Sequence, residues 1–110
     1  GRLQVLAGED AQVFTTASLG GAGAIAASAH LKTERFVQVL QAIQQGHLAS
    51  AREHWQALLP LIELLFAEPN PGPLKAALAH EGWIADELRL PMTPASAPLR
   101  AQIEQVLRRL

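Results

Sequence analysis

The sequence contains no cysteine, which excludes disulfides and thiolate-bound metals. It has almost no net charge: nine Lys and Arg against ten Asp and Glu leave −1 at pH 7. The basic field that marks a nucleic-acid binder is therefore missing, and no nucleic-acid partner is expected. No apolar run reaches the roughly 18 residues of a membrane span, because the longest, near residues 57–66, is cut by Pro60 and Glu63. The opening residues, GRLQVLAGED, have no charged n-region, h-region or cleavage site. They also lack an initiator Met and enter an apolar stretch at once. The expectation is a piece of a longer, cytoplasmic protein. There is no P-loop, serine elbow or EF-hand, and His30, His47, His54 and His80 form no H-x-x-x-H or H-E-x-x-H pair. Neither a metal nor a cofactor is expected.

What is present is 49% apolar residues in a chain of 110, enough for a modest core. LQVLAG, residues 3–8, reads as a buried strand of a parallel sheet. EDAQVFTTASLGG follows as a helix with Asp10 as N-cap and Gly20–Gly21 as its stop. AGAIAASAHL, residues 22–31, is again apolar and small, suited to a crowded strand. Strand, helix, strand makes a βαβ unit with a parallel pair.

Beyond it the pattern is only helical. Thr33 is a candidate cap for a helix with Phe36, Val37, Leu40 and Ile43 on its apolar face, ended by Gly46. The next carries Leu48, Ala51, Trp55, Leu58, Leu59, Ile62, Leu65 and Phe66 on one stripe, with Pro60 expected to kink it. In FAEPNPGPLKAAL, residues 66–78, Pro69, Pro71 and Pro73 push Glu68 and Asn70 out of the helical region and stop that helix. Pro73 has the fixed φ of a first helical turn, so a helix is expected from about 73 to 81. GWIADELRLPMTP reads as a loop, and a last helix uses Leu99, Ile103, Val106 and Leu110 with Pro98 in its first turn.

Few residues suggest chemistry. Lys32 and Lys75 are the only lysines. A Schiff-base lysine needs a dry pocket that depresses its pKa. Lys75, in the first turns of a helix, reads instead as a structural residue, and Lys32 as solvated. Glu9 and Asp10 stand where a parallel strand ends, the side that carries active sites in α/β folds. Adjacent residues point apart, so they are no shared-proton dyad; Glu9 is a candidate pocket residue. His30, at the end of the second strand, is the one histidine placed for function. GAGAIA, residues 21–26, imitates a dinucleotide fingerprint, but a helix precedes it and a strand follows, the reverse of what that fingerprint needs.

Read together, VLAGED, LGGAGAI, GHLASAREHWQALLPLIELLFAEPNPGPLKAAL and LRLPMTP resemble, in this order, the C-terminal end of the dihydrodipicolinate synthase (4-hydroxy-tetrahydrodipicolinate synthase) family. The most specific pieces are F-x-E-x-N-P-x-P-x-K at 66–75 and R-L-P-M-T-P at 89–94. The resemblance implies an α/β fold: the last two strands of a TIM (β/α)₈ barrel in residues 1–46 and a C-terminal helical segment in 47–110, mostly helical as given. A whole barrel needs about 250 residues.

It also implies a lyase of the Schiff-base class that condenses pyruvate with aspartate semialdehyde in lysine biosynthesis through diaminopimelate, as a homotetramer or dimer. The imine lysine and proton-relay residues of the family lie upstream, so no catalytic residue is expected here and the fragment is expected to be inactive alone. Gly8 matches the glycine at the mouth of the seventh strand. Ile25 matches the eighth-strand residue whose carbonyl faces the pyruvate site. Gly8, Glu9, Ile25, Ala26 and His30 are the expected substrate-pocket residues, and Leu19 and Gln56 the expected interface residues. Where many members have G-D-D this chain has Gly8–Glu9–Asp10, and the usual serine and asparagine are replaced by Ala26 and His30. Two alternatives stay open: a paralogous pyruvate aldolase or dehydratase with another aldehyde partner, and a non-catalytic helical interaction module.

Overall fold

The computed structural model describes residues 3–110. Two compact units divide the chain, Gly1–Leu59 and Pro60–Leu110, and each is described by itself.

In the first unit, β1 (Leu6–Ala7) and β2 (Gly23–Ala24) pair in parallel, Leu6 beside Gly23 and Ala7 beside Ala24. The ladder continues one bond either way: the Ala22 N–H donates to the Val5 carbonyl and the Ile25 N–H to the Ala7 carbonyl. The strands are thus shorter than the runs 3–8 and 22–31 suggested, and less buried: Ala7 and Gly23 are buried, whereas Leu3, Val5 and Leu6 are exposed. A parallel strand is buried only when both faces are covered. The second run leaves the ladder after Ile25 and coils into a 3₁₀ turn, Ala27–His30; Ala-Ser-Ala-His offers no β-branched side chain to hold an extended backbone.

Between the strands lie a 3₁₀ turn, Asp10–Gln12, and α1 (Val13–Ser18). The glycine pair ends α1 by two different means. Gly20 takes φ +98°, and its N–H and that of Gly21 close on the carbonyls of Ala17 and Thr16, a Schellman end. At Gly21 a Cβ would fall 2.7 Å from the Thr16 carbonyl oxygen, so only glycine can approach. Gly46 (φ +77°) closes the next helix in the same way, with bonds from Gly46 to Ile43 and from His47 to Ala42.

That helix, α2, spans Thr33–Gln44. Thr33 is its first residue rather than its cap: Lys32, at φ 49°, turns the corner, and the Thr33 hydroxyl donates back to the Ala29 carbonyl at 2.5 Å. The buried line is Phe36, Val39 and Ala42, while Val37 is 45% exposed. The face is rotated from the expected one toward Val39 and Ala42, and Phe36, common to both, presents its ring to Trp55, edge to face at 6.4 Å. Phe14 of α1 stacks on the same indole at 6.2 Å. Pairs of this kind contribute about 1 kcal/mol each beyond their buried area, and here one tryptophan joins three helices.

Trp55 belongs to α3, Leu48–Leu65. The helix continues through Pro60, which is exposed. Its buried residues are Ala51, Trp55 and Leu58 in the first unit and Leu61, Ile62 and Leu65 in the second; Leu48 and Phe66, expected on the stripe, are 43% and 47% exposed, since they sit at the helix ends.

In the second unit, α4 (Gly72–His80) begins one residue before Pro73, and α5 (Ala97–Arg109) has Pro98 in its first turn. Leu99, Ile103 and Leu107 of α5 are buried with Leu74, Ala76 and Ala77 of α4. The proline joint does more than end a helix. A Cβ on Gly72 would come within 3.2 Å of the Thr93 carbonyl, and a cavity of about 140 Å³ is shared by Glu68, Pro69 and Pro73 on one side and Pro91, Met92 and Ala95 on the other. The two most specific sequence pieces are therefore packed on each other. The Asn70–Pro71 and Leu90–Pro91 peptides, one in each piece, are cis. Glu68 completes the join: it accepts the Ser96 N–H at 2.9 Å and the Ser96 hydroxyl at 2.5 Å. These bonds hold its carboxyl below the ordinary glutamate range, the hydroxyl having the larger effect. The same Ser96 oxygen accepts from the Leu99 N–H at 3.4 Å as the α5 cap. Lys75 donates to the Glu87 carbonyl at 2.8 Å, which fits the structural reading of that lysine.

Candidate functional site

The parallel register brings four of the five expected pocket residues to one place. Gly8 and Glu9 follow β1, and Ile25 and Ala26 follow β2, so all four stand at the carboxyl ends of the two strands. The Ile25 N–H bond to Ala7, 2.9 Å, draws the two segments together just beyond the assigned strands. Glu9 is extended (φ −111°, ψ 125°) and exposed. Ile25 is 75% exposed. Ala26 is half-buried and, with Ala24, Ala29 and Phe36, borders an apolar cavity of about 210 Å³ that no charged side chain lines.

His30 is not on a strand. It closes the 3₁₀ turn and is exposed. Its Nδ1 lies 2.9 Å from the Ala27 carbonyl. A carbonyl can only accept, so Nδ1 carries the proton in this bond and the neutral ring keeps Nε2 as a free acceptor.

The residue that sequence reasoning misplaced is Asp10. It caps no helix of its own: Glu9 is the N-cap of the turn that Asp10 begins, and that cap has no side-chain hydrogen bond. Asp10 is instead 4% exposed, and its carboxylate accepts the Ser28 N–H at 2.7 Å. Ser28 is itself 1% exposed, and its hydroxyl has no partner. Ser28 lies in the first turn of the segment Ala27–His30, where N–H groups have no intrahelical acceptor. Asp10 thus caps, from 18 residues away, the turn that carries His30. The cue in the sequence is only a capping-type residue at a strand end; nothing local says which turn it serves.

Chemically, the strand ends offer backbone groups, one exposed carboxylate and one imidazole. No group of three or more His, Asp or Glu suited to a metal is found among the described residues. Leu19, an expected interface residue, is 85% exposed and shares a shallow groove of about 360 Å³ with Leu3 and Val5. Gln56 is exposed on α3. No helix of the described residues is long and apolar enough to cross a membrane.

Known proteins match this arrangement along the whole chain. The family model described as "Dihydrodipicolinate synthetase family" covers residues 1–110. The 4-hydroxy-tetrahydrodipicolinate synthase 2 of Clostridium acetobutylicum is 46% identical over 104 residues, 94% of this chain and 36% of the relative. The crystal structure of dihydrodipicolinate synthase from Thermotoga maritima superposes with a TM-score of 0.93 at 36% identity, covering 96% of this chain and 36% of that one. The chloride-inhibited dihydrodipicolinate synthase of Acinetobacter baumannii, complexed with pyruvate, gives 0.92 at 28% identity over 98% of this chain and 37% of that one. The chain spans about a third of the length of the relatives it matches, so it is a fragment of their TIM-barrel fold. Both in sequence and in fold, the chain belongs to the dihydrodipicolinate synthase family.

Proposed function

We propose that this chain is the C-terminal part of a Schiff-base synthase that condenses pyruvate with aspartate semialdehyde, a step of lysine biosynthesis through diaminopimelate. The parent works as a cytoplasmic homo-oligomer. The observation that carries the reading is the end-to-end match to synthases nearly three times as long, and the pyruvate bound to one structural neighbour supports the first substrate. In such chemistry a neutral lysine attacks the keto carbon of pyruvate and water leaves. The imine then loses a methyl proton, and the resulting enamine carbon attacks the aldehyde. That lysine lies in the part of the parent that precedes residue 1. Lys75 is engaged by the Glu87 carbonyl, and Lys32 forms the corner before α2.

Within this scheme the chain supplies the wall of the pocket. Gly8 lets the backbone pass close to substrate, and the Ile25 carbonyl faces the pyruvate. Glu9, Ala26 and His30 meet the aldehyde partner. Leu19 and Gln56 lie at subunit interfaces. One observation favours a second reading: Ala26 and His30 stand where serine and asparagine are usual, so a paralogous aldolase or dehydratase with a different aldehyde is the alternative.

Borohydride trapping tests the first reading. With pyruvate, the full-length parent should gain one pyruvate-derived adduct, mapped outside residues 1–110, and the 110-residue chain should gain none. An adduct on Lys75 would overturn the assignment. The double variant Ala26→Ser, His30→Asn separates the two readings: a gain in preference for aspartate semialdehyde selects the paralogue, and no gain selects the synthase.

A further inference from the structure

We infer that Asp10 is a positioning residue that sets the parent enzyme's affinity for its aldehyde substrate, acting through the Ser28 amide. This rests on the pyruvate-dependent reading above. Asp10 follows β1, the Ala27–His30 turn follows β2, and the 2.7 Å bond between Asp10 and the Ser28 N–H joins the two strand ends. Both partners are buried, so water does not compete for the bond, and a charged acceptor makes it roughly twice as strong as a neutral one. Ala26 immediately precedes the turn and His30 ends it. Two further bonds make the turn stiff: Ala29 N–H to the Ala26 carbonyl at 3.2 Å, and the His30 ring to the Ala27 carbonyl. A stiff turn moves as a piece, so the position of the Ser28 N–H decides where Ala26 and His30 stand. The catalytic amine is carried elsewhere in the parent, so imine formation does not depend on this bond, whereas the fit of the aldehyde does.

The test uses the full-length enzyme, and borohydride trapping with pyruvate is run on every preparation. Asp10→Ala should leave the pyruvate adduct intact, raise KM for aspartate semialdehyde about tenfold, and speed deuterium uptake in a peptide spanning residues 26–31. Asp10→Asn keeps an acceptor oxygen without the charge, and should recover much of the loss, leaving KM up about threefold. Ser96→Ala removes hydrogen bonds in the other unit and should leave that KM within about twofold, which separates positioning from general loosening. An Asp10→Ala enzyme that traps pyruvate and keeps its aldehyde KM within twofold would overturn the proposal. If Asp10→Ala fails to fold, Asp10→Asn decides: unchanged KM and unchanged uptake in 26–31 overturn it. Failure of the wild type to trap pyruvate refutes the functional reading instead, and the uptake of 26–31 still shows whether Asp10 holds the turn.

Discussion

Each compact unit contains a carboxylate that accepts an N–H from a distant turn or helix start. Asp10 takes the Ser28 N–H at 2.7 Å across 18 residues, and Glu68 takes the Ser96 N–H at 2.9 Å across 28. Their surroundings differ. Asp10 is buried and makes one such bond to a serine whose hydroxyl is unpartnered. Glu68 is in reach of water and makes two bonds, and its serine hydroxyl also caps α5. Burial makes a single bond hard to replace, whereas at the surface water can substitute for a lost partner. The buried carboxylate therefore governs stability by its presence, and the surface one by its protonation.

Three perturbations should sharpen this contrast. The largest is Asp10→Ala. It leaves a buried N–H without an acceptor and should cost about 2 kcal/mol, read as a lower urea midpoint at unchanged slope. Ser96→Ala comes next: loss of the α5 cap should cost about 1 kcal/mol. A cost equal to that of Asp10→Ala would erase the distinction between the two sites. The smallest effect is acidification. The Glu68 pKa is lower folded than unfolded, so its stabilising contribution is complete above the ordinary value of 4.5 and vanishes as pH falls through the lower folded value. Glu68→Gln should remove that part of the acid dependence while leaving stability at neutral pH less changed than Asp10→Ala does. An acid profile identical to wild type would refute the Ser96 bonds as its cause.

The same contrast explains what could be read from the residues. Features set by neighbours in sequence were legible: the Schellman glycines, the loop after α4, Pro73 and Pro98 in their first turns, and the order strand, helix, strand. So were the strand-end positions of Gly8 and Glu9, because the first apolar run closes at Gly8; Ile25 and Ala26, inside the run 22–31, reach a strand end only because β2 stops at Ala24. Features set across the chain were not. Asp10 looks like a local cap, and its true partner depends on how β1 and β2 close. Val37 and Val39 are the same side chain two positions apart, and which one is buried depends on the elements packed against α2, α1 and the Ala27–His30 turn among them. The run 22–31 makes His30 a strand end, because nothing in AAS predicts that a remote carboxylate will hold those residues in a 3₁₀ turn.

The short parallel pair β1–β2 has a colloidal consequence. Among the described residues the sheet has two strands, so each strand has one outer edge with no neighbouring strand. Leu3, Val5 and Ile25, on or beside those edges, are 88%, 61% and 75% exposed. An apolar edge of this kind templates strand addition. The 110-residue chain studied alone should therefore associate in a concentration-dependent way. Its sedimentation coefficient should rise with loading, and Val5→Lys, which puts a charge on the edge, should suppress the rise.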